Sequence, residues 1–288
     1  MNILITGHKG FVGGYFMEKY SSHNIVGIDI KEGNDARDFF KSDNNSFDLV
    51  IHLAAVVGGR QTIENSPISV AVDLSIDSEF FGWCLRTKPK HIVYFSSSAA
   101  YPIRHQYSNS GIKLSENMID LNNIESPDLT YGWAKLTGEY LAKFVAEAGL
   151  NVSVFRPFSG YGTDQDLSYP FPSFIKRGLE KQDPFNIWGD GTQVRDFIHI
   201  RDIVNAVDIC VKNRITGTYN LGLGMPTSFN DLCNEVCRLM NYSPKIDHIK
   251  TAPTGVMYRV CDPTQMFNFY TPKISLEEGI SMALRNKR

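Results

Sequence analysis

The feature that most constrains this chain is a glycine-rich segment between an apolar run and an amphipathic stretch near its start. The apolar run 2–6 is typical of a strand, and directly after it come Gly7-His8-Lys9-Gly10-Phe11-Val12-Gly13. Glycines at such a junction let the turn close and let a pyrophosphate approach the backbone N–H groups that begin a helix. Asp29 ends the next apolar run, where a carboxylate can accept hydrogen bonds from ribose hydroxyls. The segment therefore predicts a dinucleotide site on a β–α–β unit.

The first half of the chain alternates short apolar runs with amphipathic stretches, which is typical of a parallel sheet with crossover helices. The runs show little polar alternation, as expected for strands covered on both faces. The predicted strands are 2–6, 25–29, 49–53, 91–96 and 152–156, and the predicted helices are 11–21, 68–87 and 131–148. The short span between Asp29 and Leu49 leaves little room for a further strand. The predicted fold class is therefore α/β, with a doubly wound parallel sheet.

The composition of the chain changes after Pro157. Residues 158–191 are rich in Gly, Pro, Tyr and Phe, which indicates irregular, ligand-facing structure. Beyond them the pattern predicts helices at 200–212, 228–240 and 275–285 and a strand at 218–221. No low-complexity linker separates the parts. We therefore predict two joined domains: a cofactor-binding domain of residues 1–157 plus 192–222, and a smaller α/β substrate domain of residues 158–191 plus 223–288.

Composition excludes several classes of function. The 288 residues carry a formal net charge of −2, which gives no basic footprint for nucleic acid. The sequence contains no run of 18 apolar residues, so it predicts no membrane span, and its start shows no signal-peptide pattern. We therefore expect a cytoplasmic protein. The five cysteines are odd in number and scattered. Cys233 and Cys237 lie one helical turn apart but lack further zinc ligands, which favours core packing over metal binding.

One predicted helix carries a candidate acid–base pair. Tyr131 and Lys135 are four residues apart, so their side chains share a face. A phenol is a poor base at neutral pH, but a nearby ammonium and a positively charged ring both favour the phenolate. Gly138 lies on the same face and would let a flat ring approach closely. A serine run, Ser96-Ser97-Ser98, follows a predicted strand at the carboxyl end, where open α/β sheets bind ligands.

Further motifs extend this pattern over nearly the whole chain. They are His52-Leu53-Ala54-Ala55, Arg156-Pro157-Phe158-Ser159-Gly160-Tyr161-Gly162, Gly189-Asp190-Gly191-Thr192-Gln193-Val194-Arg195-Asp196-Phe197, Tyr219-Asn220-Leu221-Gly222 and Arg259-Val260-Cys261-Asp262. With the GxxGxxG spacing and the Tyr-x-x-x-Lys pair, the chain resembles the extended short-chain dehydrogenase/reductase family, in particular its nucleotide-sugar epimerases and dehydratases. The late motifs are the more specific ones, because plain dehydrogenases lack them.

The resemblance implies a Rossmann-type sheet that binds NAD, a smaller substrate domain and a nucleotide-sugar substrate. It implies that the catalytic residues are Ser97, Tyr131 and Lys135. Besides Tyr131 and Lys135, it implies NAD contacts by Gly7, Gly10, Phe11, Val12, Gly13, Asp29, Ile30, Asp35, Ala36, Leu53, Ala54 and Ala55. It implies substrate contacts by Ser98, Ser159, Arg195 and Arg259, with the two arginines on the pyrophosphate because guanidinium forks suit such anions. It implies no metal ligand.

Two of these assignments leave alternatives open. Asp29 should repel a 2′-phosphate and so favour NAD over NADP, but Lys9 and Lys31 lie close enough in sequence to partner such a phosphate. Arg195 and Arg259 could form surface salt bridges instead of contacting substrate. His52 is expected to be structural.

The family's common step is oxidation of a sugar hydroxyl, with Tyr131 as the base and Ser97 holding the oxygen. By the resemblance, dehydratases carry an acidic residue two positions before the tyrosine that ends the serine motif, and other branches carry Cys there. This chain has Ala99. We therefore expect C4 epimerisation through a transient 4-keto sugar. A 4,6-dehydratase, a 4-keto-sugar reductase and a non-catalytic regulator that binds NAD or a sugar nucleotide stay as alternatives.

Two further expectations rest on the resemblance. Asp73, in the predicted helix 68–87, stands where relatives usually carry Asn, and nothing in the sequence explains this departure. The family also implies a homodimer, formed through the predicted helices near 70–87 and 131–148.

Overall fold

A six-stranded parallel sheet organises the chain in the computed structural model, which describes residues 1–58, 60–108 and 110–286. In chain order the strands are β1 (Asn2–Thr6), β2 (Asn24–Ile28), β3 (Leu49–His52), β4 (Ile92–Phe95), β5 (Lys113–Leu114), β6 (Val152–Pro157), β7 (Ser159–Tyr161), β8 (Phe185–Trp188), β9 (Val194–Arg195), β10 (Phe197–His199), β11 (Gly217–Leu221), β12 (Thr227–Ser228), β13 (Ile246–Ile249) and β14 (Tyr258–Cys261). The order in the large sheet is β11-β6-β4-β3-β1-β2, with every neighbouring pair parallel. The predicted fold class is confirmed.

The helices cover both faces of this sheet and build a second layer beyond its carboxyl edge. They are α1 (Phe11–Lys19), α2 (Ala36–Ser42), α3 (Arg60–Asn65), α4 (Pro67–Val70), α5 (Val72–Thr87), α6 (Leu129–Glu147), α7 (Pro170–Leu179), α8 (Ile200–Lys212), α9 (Phe229–Leu239), α10 (Thr264–Phe267) and α11 (Leu276–Asn286). The predicted helix 68–87 is interrupted at Ala71, which separates α4 from α5.

The strands of the sheet are apolar on both faces because helices cover both. Ile3 and Ile5 pack with α1 and α8 on one face and form the first core. Leu4 packs with α2 and α5 on the other face, in the second core. Residues 30–48, all described, hold a 3-10 turn and α2 but no strand, so β2 ends the sheet as the short span predicted. The strand order reverses between β1 and β3, and a crevice therefore opens outside their carboxyl ends.

The prediction of irregular structure over 158–191 is wrong in its middle. Helix α7 begins with Pro170 at its first position, which suits a helix start because that N–H has no intrahelical partner. Its buried Phe171, Phe174 and Ile175 follow helical spacing and pack into a third core with α9 and α11. Aromatic and proline content masked this periodicity in the sequence.

The third core also holds Cys233 and Cys237 on α9, both buried, with their sulfur atoms 4.0 Å apart. By contrast, Met266 on α10 and nearby Tyr270 pack into the first core, beside the large sheet. The C-terminal region therefore contacts both predicted domains. The division of the chain into these two domains stays a prediction. Residues 287 and 288, which end the predicted substrate domain, lie outside the described part of the chain. Across the described ranges no helix has the length and apolarity that crossing a membrane requires.

Candidate active site

The glycine turn between β1 and α1 is closed by its own backbone. Gly7 has a φ of +71°, a conformation that side chains disfavour, and its N–H donates to the Ile28 carbonyl at 2.7 Å. A Cβ at Gly7 would come within 2.9 Å of Ala54 N, and a Cβ at Gly13 would overlap the Gly7 carbonyl. Gly10 caps α1 without a side chain. The turn thus leaves backbone N–H groups at a helix start free of bulk, and these residues fit the pyrophosphate of NAD.

Asp29 lies at the end of β2 and is buried. Its two carboxylate oxygens accept from the backbone N–H groups of Lys9, at 2.8 Å, and Lys31, at 2.9 Å. The Lys9 ammonium forms an ion pair with Glu32 at 2.8 Å, and the Lys31 ammonium donates to the Lys9 carbonyl at 3.1 Å. Asp29 therefore fixes the glycine turn against β2. We call the glycine turn together with residues 29–32 the cofactor corner, and the side chains of both lysines bind partners within it.

The remaining predicted cofactor residues surround the same crevice. Leu53 N and Ala54 N each donate to the Thr6 hydroxyl at 3.2 Å, which anchors the loop that continues to Ala55 at the carboxyl end of β3. Asp35 caps α2 and pairs with the Arg37 guanidinium at 2.5 Å. Ala36 is buried, Ile30 is 69% exposed, and Phe11 and Val12 pack against the first core.

His52 is structural in its contacts. Its Nδ1 lies 2.8 Å from the Thr6 hydroxyl and its Nε2 lies 3.1 Å from the Asp77 carboxylate. The ring is buried and stacks on Phe80 with 3.9 Å between centroids. Burial lowers the pKa of His52, which keeps this ring neutral.

The three predicted catalytic residues meet at the carboxyl end of β4. Ser97 begins a 3-10 turn there, and its hydroxyl hydrogen-bonds the Tyr131 phenol near the start of α6. Lys135, one turn further along α6, is buried, with its Nζ 5.9 Å from the centroid of the Tyr131 ring. The fold thus brings together the hydroxyl, the phenol and the ammonium that the sequence pattern predicted. These are the groups needed for proton exchange with an alcohol.

The chain's own groups do not lower the pKa of Tyr131, contrary to the expectation from the Lys135 spacing. Burial raises this pKa, and the negative charges of Asp73 and Asp77 raise it further, while the hydrogen bond from Ser97 opposes them. The phenol is therefore held protonated by its protein surroundings. A further positive charge is needed before it can act as a base near neutral pH.

Gly138 has a different role from the one its helical face indicated. A Cβ at this position would overlap the Tyr94 hydroxyl and come within 2.6 Å of the Asp77 carboxylate. The missing side chain lets α6 approach β4 and α5. Gly138 therefore serves packing beneath the catalytic residues, not the approach of a flat ring.

A cavity of about 370 Å³ opens from Tyr131 into the second layer. All four predicted substrate residues line it: Ser98, Ser159, Arg195 and Arg259. Ser98 is buried beside Tyr131, and Ser159 begins β7 with its N–H donating to the Asp196 carbonyl at 2.9 Å. The cavity joins the acid–base group at one end to cationic groups along its wall.

The arginines on the cavity wall are held by defined contacts. Arg195 donates to its neighbour's carbonyl at 2.8 Å, and its guanidinium lies 5.5 Å from the centroid of the Phe229 ring. Arg259 donates to Gln106 at 2.5 Å and forms a largely buried ion pair with Asp128 at 2.7 Å. Neither is an isolated surface salt bridge, because both groups face the cavity.

Sequence reasoning missed several polar or aromatic residues on this wall, among them Asp128, Arg177 and Trp188. Asp128 occupies the N-cap position of α6, three residues before Tyr131, although its side chain makes no capping hydrogen bond. An Asp at a helix start was the available signal. Arg177 lies on the missed helix α7, with its guanidinium 5.3 Å from the centroid of Phe174. Trp188 ends β8 directly before the Gly189 motif, and it is 38% exposed.

Several family-like motif residues form a buried network away from the reacting groups. The Arg156 guanidinium pairs with Glu139 at 2.6 Å and donates to the Tyr101 hydroxyl at 3.0 Å. Tyr101 in turn donates to the Asn220 side chain at 2.6 Å. The network ties β6, β11 and α6 together beneath Ser97. These positions therefore hold the shape of the site.

Comparisons with known proteins identify the family and the fold. The model of the NAD dependent epimerase/dehydratase family matches residues 3–222. A GDP-L-colitose synthase of Yersinia pseudotuberculosis is 25% identical over 302 aligned residues, which cover 98% of this chain and 96% of the relative. An uncharacterized UDP-glucose epimerase of Bacillus subtilis (strain 168), YtcB, is 28% identical, with 98% and 96% covered.

Among solved structures, the fold matches that of a UDP-glucuronic acid 4-epimerase from Bacillus cereus, solved in complex with UDP-glucuronic acid and NAD. The TM-score is 0.81, the identity is 22%, and the match covers both chains completely. At this identity the match shows the fold.

Proposed function

Since the chain belongs to the NAD dependent epimerase/dehydratase family, whose cofactor is NAD, we propose that it is an epimerase that inverts C4 of a nucleotide-activated sugar. The observation that carries the proposal is the meeting of Ser97, Tyr131 and Lys135 beside a cavity that Tyr131 lines together with Arg195 and Arg259. That arrangement joins an alcohol acid–base site to a site for a pyrophosphate. The relatives named above act on GDP- and UDP-linked sugars by their names, which agrees with this substrate class.

In this mechanism NAD, when bound, supplies the hydride acceptor and later the hydride donor. The glycine turn would hold the NAD pyrophosphate through backbone N–H groups at the start of α1. Ser97 donates a hydrogen bond to the sugar oxygen at C4, and Tyr131 removes the proton from the same hydroxyl. Lys135 stabilises the resulting phenolate by its positive charge.

The second half of the cycle requires the transient 4-keto sugar to turn and take hydride on its other face. Tyr131 then returns the proton to the carbonyl oxygen. Arg195 and Arg259 hold the pyrophosphate meanwhile, and this anchoring keeps the sugar from leaving while it turns. No further acid is needed, which agrees with Ala99.

A dehydratase is the second candidate, and one observation favours it. The Asp128 N–H donates to the Ala99 carbonyl at 2.9 Å, so a carboxylate stands beside the position where Ala99 lacks one. However, Asp128 is ion-paired with Arg259, and an ion-paired carboxylate accepts hydrogen bonds but has no proton to give to a leaving hydroxyl. We therefore rank epimerisation above loss of water.

The test is product analysis with UDP-, GDP-, CDP- and dTDP-sugars. We expect an accepted substrate to give an isomer of unchanged mass, with no net change in reduced-nicotinamide absorbance, because the hydride is returned. A product lighter by one water would identify a dehydratase. Consumption of one reduced nicotinamide per product would identify a reductase. A protein that binds NAD and a sugar nucleotide without turnover would be a regulator.

We further propose a homodimer in the cytoplasm. Helices α5 and α6 expose a shared apolar face that includes Leu85, Trp133, Tyr140 and Phe144, each more than a third exposed. Apolar side chains concentrated on two adjacent helices favour a helical interface between two copies. Light scattering of the wild type and of Phe144→Glu should give a dimer and a weakened dimer. A monomeric wild type would contradict the proposed assembly.

A further inference from the structure

Two buried carboxylates lie beneath the catalytic pair, on one face of α5. Asp77 accepts a hydrogen bond from the Tyr94 hydroxyl and contacts His52, so both of its oxygens have partners. The Tyr94 ring in turn lies 5.3 Å from Lys135 Nζ. Asp73 is one helical turn earlier on the same helix, four residues before Asp77. These side chains form a cluster that supports the reacting groups from below.

Asp73 is fully buried, and only one of its oxygens is used. Oδ1 accepts from Val56 N at 2.6 Å, and within the described part of the chain Oδ2 has no hydrogen-bond partner. Burial raises the pKa of Asp73 to about 6, and the positive charge of Lys135 opposes that rise. An asparagine at this position could accept the Val56 bond equally well. The carboxylate must therefore be explained by its charge, not by the hydrogen bond.

The charges around this cluster do not balance. Among the described residues, Lys135 on α6 is the one cation whose charge acts on Asp73. His52 on β3 is kept neutral by burial, and Tyr94 on β4 is held protonated by burial and by Asp77. Glu139 on α6 is already paired with Arg156. The surplus negative charge opposes ionisation of Tyr131, on which Asp73 acts directly.

We propose that Asp73 is a positioning residue whose negative charge opposes ionisation of Tyr131, so that the phenol becomes a base only when the oxidised, positively charged nicotinamide lies beside it. The inference rests on the proposed role of Tyr131 as the base. Its consequence is that proton removal is tied to the oxidised cofactor, since the reduced ring carries no positive charge. The same carboxylate should favour binding of the oxidised form over the reduced form.

Asp73→Asn isolates the charge, because the amide oxygen can keep the Val56 bond. The rising limb of log kcat/KM against pH should move to lower pH by about one unit, since a nearby unit charge shifts a pKa by roughly 1–3 units. Asp73→Ala should show the same shift with a lower melting temperature, because Val56 N loses its partner. If Asp73→Asn superimposes on the wild-type profile and only Asp73→Ala differs, Asp73 is a loop anchor and the proposal is wrong.

Asp202→Asn is the matched control, since it removes another buried carboxylate. Asp202 accepts from the Tyr270 hydroxyl and acts on His199 and Tyr161, not on Tyr131. It should lose stability and leave the pH of the rising limb unchanged. A shift as large as that of Asp73→Asn would contradict a specific role for Asp73.

Two readouts need no turnover and separate this inference from the proposed reaction. Calorimetric titration should show that Asp73→Asn lowers the affinity for oxidised NAD relative to NADH by about tenfold, which corresponds to one pKa unit. Equal losses for both forms would overturn the charge argument. The folded protein holds the Asp73 proton up to about pH 6, against 3.8 for an ordinary Asp. The wild type should therefore lose stability relative to Asp73→Asn as pH rises from about 4 to about 6.

Discussion

The cofactor corner and the substrate cavity are built in opposite ways. The corner is local: the glycine turn and the Asp29 contacts lie within about thirty residues and consist mostly of backbone groups. The cavity is assembled from residues between Gly58 and Arg259, and side chains carry its polarity. The first region depends on conformations that few residues adopt. The second depends on long-range packing of elements that are far apart in sequence.

This difference explains how each region can vary. A turn that requires Gly7 and Gly13 admits almost no substitution, because a Cβ would meet backbone atoms of the loop after β3 or of the turn itself. A cavity lined by Arg177, Arg195 and Trp188 can exchange side chains without losing its fold. We therefore expect the cofactor to be common to relatives and the sugar nucleotide to differ among them.

Tyr131 lies where the two regions meet, and its substitution should give the largest effect. Tyr131→Phe removes only the phenolic hydroxyl, so turnover should fall by about 10²–10⁴-fold, as is typical for a general acid–base group. The NAD affinity should stay near that of the wild type, because the corner is built without this hydroxyl. Steady-state kinetics and calorimetric titration of NAD measure the two effects separately.

The matched control is Tyr140→Phe, which removes a partly exposed phenol from the same helix. It should leave turnover unchanged. Near-full activity of Tyr131→Phe would show that another residue carries the proton. A parallel loss of NAD binding would show that the corner and the catalytic group cannot be treated as separate regions.

An intermediate effect is expected in the cavity alone. Arg195→Ala removes charge-assisted contacts that stabilise ground state and transition state alike, each worth about 1.5–3 kcal/mol. The KM for the nucleotide sugar should rise by about 10–100-fold with little change in kcat, and NAD affinity should stay the same. The exposed Arg104, paired with Glu125 outside the cavity, provides the control Arg104→Ala. An unchanged KM in Arg195→Ala would return Arg195 to a structural role.

The same contrast accounts for what the sequence could predict. The β1–α1 turn and the Tyr131–Lys135 spacing were predictable because short-range geometry fixes them: a glycine with positive φ, and two residues one helical turn apart. Helix α7 was mistaken for irregular structure because its Phe and Pro content hid an apolar face that only the third core makes evident. The ion pair between Asp128 and Arg259 joins residues 131 positions apart, and no local pattern predicts such a contact.

The pKa of Tyr131 was also beyond sequence reasoning. The Lys135 spacing predicted a lowered pKa, but the effect of burial and of Asp73 outweighs it in the protein. The four-residue spacing shows which groups are near, whereas the sign of the shift depends on every buried charge around them. Those charges come from α5, which is far from α6 in sequence.

The smallest expected effect tests whether side chains matter in the cofactor corner at all. Glu32 pairs with the Lys9 ammonium at 2.8 Å and also lies 3.3 Å from the His8 ring. Both members of the Lys9 pair are more than 40% exposed, so solvent and salt screen their attraction. While Glu32 holds it, Lys9 is a weak partner for a 2′-phosphate. We therefore propose that Glu32 supports Asp29 in selecting NAD.

Glu32→Gln should release Lys9 and raise the affinity for NADP by a few-fold, with the NAD affinity unchanged, because the backbone groups that hold the pyrophosphate stay in place. Calorimetric titrations of both cofactors measure the ratio. Glu125→Gln, which breaks an exposed pair with Arg104 outside the site, should change neither affinity. If Glu32→Gln leaves the NADP affinity at its wild-type value, Asp29 and the glycine turn alone select the cofactor. Cofactor selection in the corner would then not depend on the Glu32–Lys9 ion pair. A large gain would show instead that Lys9 is a strong phosphate partner, and that specificity in the corner depends on a side-chain ion pair as much as the cavity does.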